Sequence, residues 1–219
     1  MKYNQFKNEF CSGCISIYNG DCMDLLRQTP NKYYDLCIVD PPYGIGISSN
    51  PVRQLHSKKN WDNSIPKKEY FDELFRVSKN QIIWGGNYFP SLWEFGCKGF
   101  IFWYKQNPVD NFSDGELAWT SFNKPAYCFP FRYYGGLQGN TSAECKIHPT
   151  QKPIELYDWL LMKYAKEGDK ILDTHLGSGS SRIAAYKCGL DFIGYELDTE
   201  YFNAQEKRFN TFKSQLTLF

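Results

Sequence analysis

The run Lys170-Ile171-Leu172-Asp173-Thr174-His175-Leu176-Gly177-Ser178-Gly179-Ser180, continuing to Glu196, decides how this chain folds. Lys170 to Asp173 is a short apolar run that ends in an acid. A glycine-bearing turn follows, then Ser180 to Cys188 with apolar residues at three- and four-residue spacing, then Phe192-Ile193-Gly194-Tyr195 closed by Glu196. Strand, turn, helix, strand is one unit of an alternating α/β sheet. Glycines let the backbone approach a ligand, and a helix start offers unpaired N–H groups, so Asp173, Gly177, Ser178 and Gly179 point to a nucleotide-like cofactor. The third glycine of a dinucleotide fingerprint is replaced by Arg182, and Asp173 would repel a phosphate, which argues against a dinucleotide oxidoreductase. Glu196, nineteen residues after Gly177, stands where an acid accepts hydrogen bonds from ribose hydroxyls.

Outward from this unit the same alternation recurs. Ser16 to Tyr18, Asp35 to Val39, Gln81 to Trp84 and Phe100 to Tyr104 read as further strands. Asp21 to Gln28, Lys67 to Val77, Ile154 to Lys166 and Thr199 to Phe212 read as helices. Two segments break the pattern. Residues 44–66 are rich in Gly, Ser, Asn and Pro and carry Arg53, His56, Lys58 and Lys59, and loops of this length are commonly functional. Residues 125–147 mix aromatics, Gly and basic residues without a clear period, which reads as a small insertion in a single domain spanning 1–219.

Asp40-Pro41-Pro42-Tyr43 follows the apolar strand Asp35 to Val39. In open α/β sheets ligands gather beyond the carboxyl ends of strands. Two prolines stiffen this turn and remove two donors, leaving carbonyl acceptors beside a carboxylate, a tool for gripping an NH2 group. His148-Pro149-Thr150-Gln151-Lys152-Pro153 precedes the helix from Ile154, where polar groups and free N–H groups can hold a carboxylate. Taken singly, the first is also an ordinary strand-ending turn and the second a capping turn.

Composition sets the outer limits. The chain has 219 residues, 42% hydrophobic, 18% aromatic and 22% charged, which is too apolar for a disordered segment. No apolar stretch has the length of a membrane span, so a soluble, cytoplasmic protein without membrane contact is expected. Net charge is +1, so any basic face for a polyanion must be local. Of the 8 cysteines, Cys11 and Cys14 have CxxC spacing, yet no second pair completes a metal set, and no metal is expected.

Together, Asp40 to Tyr43, Asp173 to Gly179, Glu196 and His148 to Pro153 resemble the amino-group DNA methyltransferases that use S-adenosylmethionine. The catalytic motif precedes the cofactor loop, as in the permuted β-class of that family. Gly20-Asp21-Cys22-Met23-Asp24 resembles the family's adenine-contacting segment, while 82–89, 102–105 and 112–119 resemble its middle strands and the segment before its insertion. One departure is Thr174-His175-Leu176, where the family more often has Pro-Phe or Pro-Cys ahead of the glycines.

The resemblance implies a Rossmann-like methyltransferase sheet with helices on both faces, circularly permuted motif order and a small target-recognition insertion. It implies Asp40, Pro41, Pro42 and Tyr43 as catalytic residues. Asp21, Cys22, His148, Thr150, Gln151, Lys152, Asp173, Gly177, Ser178, Gly179 and Glu196 would hold S-adenosylmethionine. Double-stranded DNA is the implied partner, with Arg53, Lys58 and Lys59 on phosphates and Arg132, Tyr133, Tyr134 and Lys146 in the insertion. An insertion this short reads few base pairs, so a short recognition site or a homodimer is expected. An Asp at the head of the catalytic tetrapeptide resembles adenine-N6 enzymes more than cytosine-N4 ones. The alternatives are cytosine N4 or RNA as acceptor, and a non-catalytic nucleic-acid-binding module with a relic cofactor pocket.

Overall fold

Tyr34–Val39 is buried at five of its six positions, as a strand covered on both faces must be. It is β2 of a computed structural model that describes residues 13–49, 59–107, 110, 113–133 and 146–216. The other strands are β1 (Ile15–Asn19), β3 (Ser78–Trp84), β4 (Ile101–Tyr104), β5 (Gly115–Thr120), β6 (Tyr127–Pro130), β7 (Lys170–Asp173) and β8 (Asp191–Glu196). The helices are α1 (Cys22–Gln28), α2 (Lys68–Val77), α3 (Pro90–Trp93), α4 (Ile154–Tyr164), α5 (Ser180–Lys187) and α6 (Thr199–Leu216). Every strand and helix expected from the sequence is present, with ends moved by a few residues. None of the described helices is long and apolar enough to cross a membrane.

The strands form one sheet in the order β1-β8-β7-β2-β3-β5-β4-β6. β1, β8, β7, β2 and β3 run parallel to one another, and β5 runs antiparallel between β3 and β4. The chain leaves β7 through α5 to β8 on one side, and leaves β2 through α2 to β3 on the other. The order therefore reverses between β7 and β2, whose pairing is Leu36 with Ile171 and Cys37 with Leu172. A crevice opens at such a point beyond the strands' carboxyl ends, where Asp173 and Asp40 stand.

Alternating side chains of the central strands divide the core into two layers. Leu36, Ile38, Ile82, Trp84 and Ile171 pack under α4 and α5 with Leu156 and Leu160. Cys37, Val39, Ile83, Leu172 and Ile193 pack under α1 and α2 with Leu26, Phe71 and Leu74. In α2, Tyr70, Phe71, Leu74 and Val77 recur on one stripe and are all buried, each side chain contributing roughly 1.5–3 kcal/mol. α1 starts where the Asp21 carboxylate accepts the Met23 N–H at 2.9 Å, a cap that contributes about 1 kcal/mol.

Three elements escaped the sequence reading. β6 lies inside 125–147, so part of that segment is an edge strand and not inserted chain. Its alternation is only four residues long and is bounded by Pro125 and Pro130, as edge strands tolerate. β5 opens on Gly115-Glu116, an opening without strand character. Because β5 is antiparallel, its first residues come to the same rim as the last residues of its neighbours, with Glu116 opposite Trp103. α3 is a single turn begun by Pro90.

Candidate active site

The turn after β2 is held by a residue distant in sequence. Asp62, 1% exposed, accepts the N–H groups of Tyr43 at 2.7 Å and Gly44 at 2.9 Å on one oxygen, and that of Ile47 at 2.8 Å on the other. Asp62 thus pins the residues that follow β2, a role that no local signal in the sequence marks. The Tyr43 ring stacks on Tyr88 at 5.0 Å between centroids and 14° between planes. Gly85 is why it fits: a Cβ there would stand 2.2 Å from the ring, and the backbone at φ 72° is left-handed.

Asp40 is surrounded by charge. Its Oδ1 accepts from the Tyr43 hydroxyl at 2.6 Å and its Oδ2 from Lys152 at 2.5 Å. Lys152 also reaches Glu116 at 2.9 Å, and Glu116 in turn takes Lys105 at 2.5 Å. Burial raises the Asp40 carboxyl above its usual range, and Glu116 adds to this against the pull of Lys152. Burial also disfavours the Glu116 charge, but Lys152 and Lys105 outweigh it and hold the group at about 2. Neither Glu116 nor Lys105 was singled out from the sequence, because nothing near them in the chain points to Asp40.

Across the crevice the glycine loop is fastened by acids of its own βαβ unit and by Arg208 of α6, which donates to the Ser178 carbonyl at 2.7 Å. Asp173, 1% exposed, accepts the His175 N–H at 3.0 Å and the Ser181 hydroxyl at 2.6 Å. Burial raises it to about 7. It therefore locks the loop from behind and does not face a ligand with an open carboxylate. Glu196 accepts the Gly177 N–H at 2.8 Å and the Asp198 N–H at 2.9 Å, leaving lone pairs on both oxygens. Gly179 is left-handed at φ 73°, and a Cβ there would meet Gln205 at 3.0 Å. No side chain caps α5, so its first N–H groups remain for a ligand. The Thr174-His175 departure is accommodated: the Thr174 hydroxyl pairs with that of Tyr70 at 2.7 Å, and burial holds His175 neutral with a pKa of about 4.

The remaining expected residues divide. Asp21 is exposed one turn beyond β1, whose Asn19 pairs with Glu196, so the two acids share a rim. Cys22 faces the core, its thiol pushed by burial to about 12, so its side chain is not a cofactor contact. His148 lies against Tyr201 at 4.3 Å and accepts from the Thr150 N–H at 3.3 Å, with its ring beside Gly177. Gln151 donates to the Tyr133 hydroxyl at 3.0 Å and accepts the Ile147 N–H at 3.0 Å, tying the base of the 125–147 segment to this one. Lys146 stands 4.1 Å over the Tyr133 ring, and Arg132 is exposed at the end of β6.

Lys59 departs from expectation. It binds Asp198 and Glu200 at 2.6 Å each and lies 4.3 Å over the Tyr201 ring, so it straps the loop to the start of α6 and is committed within the protein. Arg53, Lys58 and Tyr134 lie outside the described residues, as does Cys11. A sulfonium nucleoside fits what remains: Glu196 for ribose hydroxyls, exposed Asp21 beside it, and the open start of α5.

Fold and comparisons together define the class, an S-adenosylmethionine-dependent methyltransferase. Residues 119–207 match the family model described as DNA methylase, that of the N6/N4 methyltransferases. It is 27% identical over 260 residues to the type II methyltransferase M2.DpnII of Streptococcus pneumoniae, covering 95% of this chain and 97% of the relative. It is 26% identical over 238 residues to the type II methyltransferase M2.LlaDCHI of Lactococcus lactis subsp. cremoris, covering 89% and 88%. The crystal structure of the M1.HpyAVI–SAM complex superposes with a TM-score of 0.60 at 25% identity, over 90% of this chain and 100% of that one. The cytosine-N4-specific PvuII DNA methyltransferase, at 14% identity and a TM-score of 0.61 over 89% of this chain and 86% of that one, shares the fold.

Proposed function

We propose that the protein transfers the methyl group of S-adenosylmethionine to N6 of an adenine flipped out of double-stranded DNA. The observation that carries this reading is the meeting of Asp40 and the glycine loop across the reversal of strand order, with an aromatic platform beside them. An exocyclic amine is a poor nucleophile because its lone pair is delocalised into the ring. Asp40 and the Pro41 carbonyl would accept its two N–H groups, drawing the nitrogen towards tetrahedral geometry and stabilising the positive charge that develops on attack. The stacked rings of Tyr43 and Tyr88 offer a face to the base. Pro42 stiffens the turn that carries these groups.

The cofactor supplies an activated methyl group. Glu196 and Asp21 would hold its nucleoside, the start of α5 and the His148–Gln151 segment its polar tail, and Ser178 the loop backbone against it. Holding nucleophile and methyl in near-attack geometry contributes several kcal/mol, on the order of 7 or more in favourable cases. Extruding the base costs roughly a few kcal/mol, which contacts from Arg132, Lys146 and the 125–147 segment would offset together with phosphate contacts from Arg53 and Lys58. A dimer would extend the short reading surface.

The test is nucleoside mass spectrometry of duplex DNA and RNA incubated with the protein and S-adenosylmethionine. N6-methyladenine in DNA is expected, and Asp40→Ala should lower its formation by at least ~10³-fold while calorimetric binding of S-adenosylmethionine persists. N4-methylcytosine or methylated RNA would change the acceptor, and no product from the wild type would leave a non-catalytic binding module.

A further inference from the structure

We propose that Lys152 and Glu116 form a positioning pair for Asp40, fixing one oxygen of its carboxylate and balancing its charge so that the other oxygen meets the acceptor amine. The inference rests on the methyl-transfer reading above and assigns Lys152 to the acceptor side of the site instead of the cofactor side.

Counting donors decides the assignment. An ammonium has three protons and no acceptor. Lys152 reaches Asp40 Oδ2 at 2.5 Å, Glu116 Oε2 at 2.9 Å and the Tyr43 hydroxyl at 3.3 Å, so all three are used. Its side chain is 2% exposed and packed against the Trp84 ring, 5.3 Å from the centroid. No donor is left for a cofactor carboxylate. The backbone of the same residue belongs to the other half: its carbonyl accepts the Ser180 hydroxyl at the start of α5, 2.7 Å away. One residue thus ties the cofactor helix to the catalytic turn.

The charges explain why Glu116 is needed. An ammonium beside Asp40 opposes the positive charge that develops on the acceptor nitrogen. Glu116 offsets it, and Lys105 in turn pairs with Glu116, so the four groups Asp40, Lys152, Glu116 and Lys105 sum to zero. With Oδ2 held by Lys152, the oxygen left for the amine is Oδ1, which among the described residues has only the Tyr43 hydroxyl to share. The other titratable groups facing Asp40 are Tyr43 in its own turn, Tyr157 of α4 and Asp173 of β7, and none of them carries a compensating positive charge.

The experiment measures single-turnover methylation of duplex DNA against pH, with calorimetric S-adenosylmethionine binding, for wild type, Lys152→Met, Lys152→Arg and Glu116→Gln. Lys152→Met should slow transfer at neutral pH about 10- to 100-fold and move the acid limb of the profile to higher pH, with cofactor affinity changed less than about threefold. Lys152→Arg should recover part of the rate. Glu116→Gln should move the limb to lower pH, because a repelling carboxylate is removed while the ammonium stays. Limbs that move in the same direction, or a Lys152→Met protein that loses cofactor affinity and keeps its rate, overturn the inference. Should Lys152→Met fail to fold, the Glu116→Gln limb decides alone, and an unmoved limb overturns it. A wild type without methylated product overturns the methyl-transfer reading as well, whereas an active wild type with unaffected variants overturns only this pair.

Discussion

The two sides of the crevice are built on different principles. On the cofactor side, Asp173 binds residues two and eight positions ahead of it, and Glu196 reaches back to the glycine loop of the same βαβ unit. On the catalytic side, Asp40 and its turn depend on Asp62, Glu116 and Lys152, the last 112 residues away in the chain. The N–H groups of the cradle are met by carboxylates of its own βαβ unit, while its carbonyl and hydroxyl at Ser178 and Ser180 are tied from farther off by Arg208 and the Lys152 carbonyl. A buried carboxylate that must stay charged needs a countercharge, and a countercharge comes from wherever the sheet brings one.

The contrast breaks first at Asp62. Removing the acceptor of three part-buried N–H groups in Asp62→Ala should cost about 1–3 kcal/mol in all, since water reaches part of what is freed, so thermal melting should fall by several degrees and methyl transfer by roughly 100-fold. Asp62→Asn keeps one acceptor oxygen and should lose less on both measures. An Asp62→Ala protein with an unchanged rate would mean that the turn after β2 holds its shape without a distant anchor.

On the other side, Glu196→Ala should weaken S-adenosylmethionine about tenfold by calorimetry, with little change in rate once the cofactor saturates. A large loss of saturated rate would show that the glycine loop also sets the catalytic geometry.

Asp173 sharpens the comparison through pH. Burial raises it in the folded protein to about 7 from an ordinary 3.8. The folded state therefore binds this proton more tightly. The stability it contributes is full below the unfolded value, declines as pH rises, and is gone above the folded value. Asp173→Asn does not titrate there, so its melting temperature relative to wild type should rise between pH 5 and pH 8, by about 2–4 °C for each kcal/mol relieved. Parallel melting curves across that range would contradict the burial of an ionising group.

The smallest effect is expected at Lys59. With its ammonium committed to Asp198 and Glu200, Lys59→Ala should cost about 1 kcal/mol or less of stability and leave the salt dependence of DNA binding unchanged. A flatter salt slope would return Lys59 to the DNA-facing side.

Much of this was legible in the chain. The βαβ unit around Gly177 and the apolar runs at 35–39 and 81–84 follow from the period of the side chains, and the acids at 40, 173 and 196 stand at strand ends that those periods already mark. The motif at 148–153 stood out in the sequence, but not its division of labour: Gln151 and Lys152 are adjacent, yet one bonds Tyr133 and the other reaches the Asp40 carboxylate. Glu116 was not legible, since its approach depends on β5 running against its neighbours. Neither was β6, because four alternating residues that end on a proline carry too little signal to separate a strand from a loop.

The linear order of residues by itself settled the α/β architecture, the order of its motifs and the stiff proline turn after β2, because periodicity, glycine and proline act over a handful of neighbours. Tertiary structure alone decided which lysine neutralises which acid, which aspartate pins the turn and which basic residue is consumed as a strap. Ion pairs and buried hydrogen bonds depend on distance in space, and only the folded sheet brings residues 40, 62, 116 and 152 together.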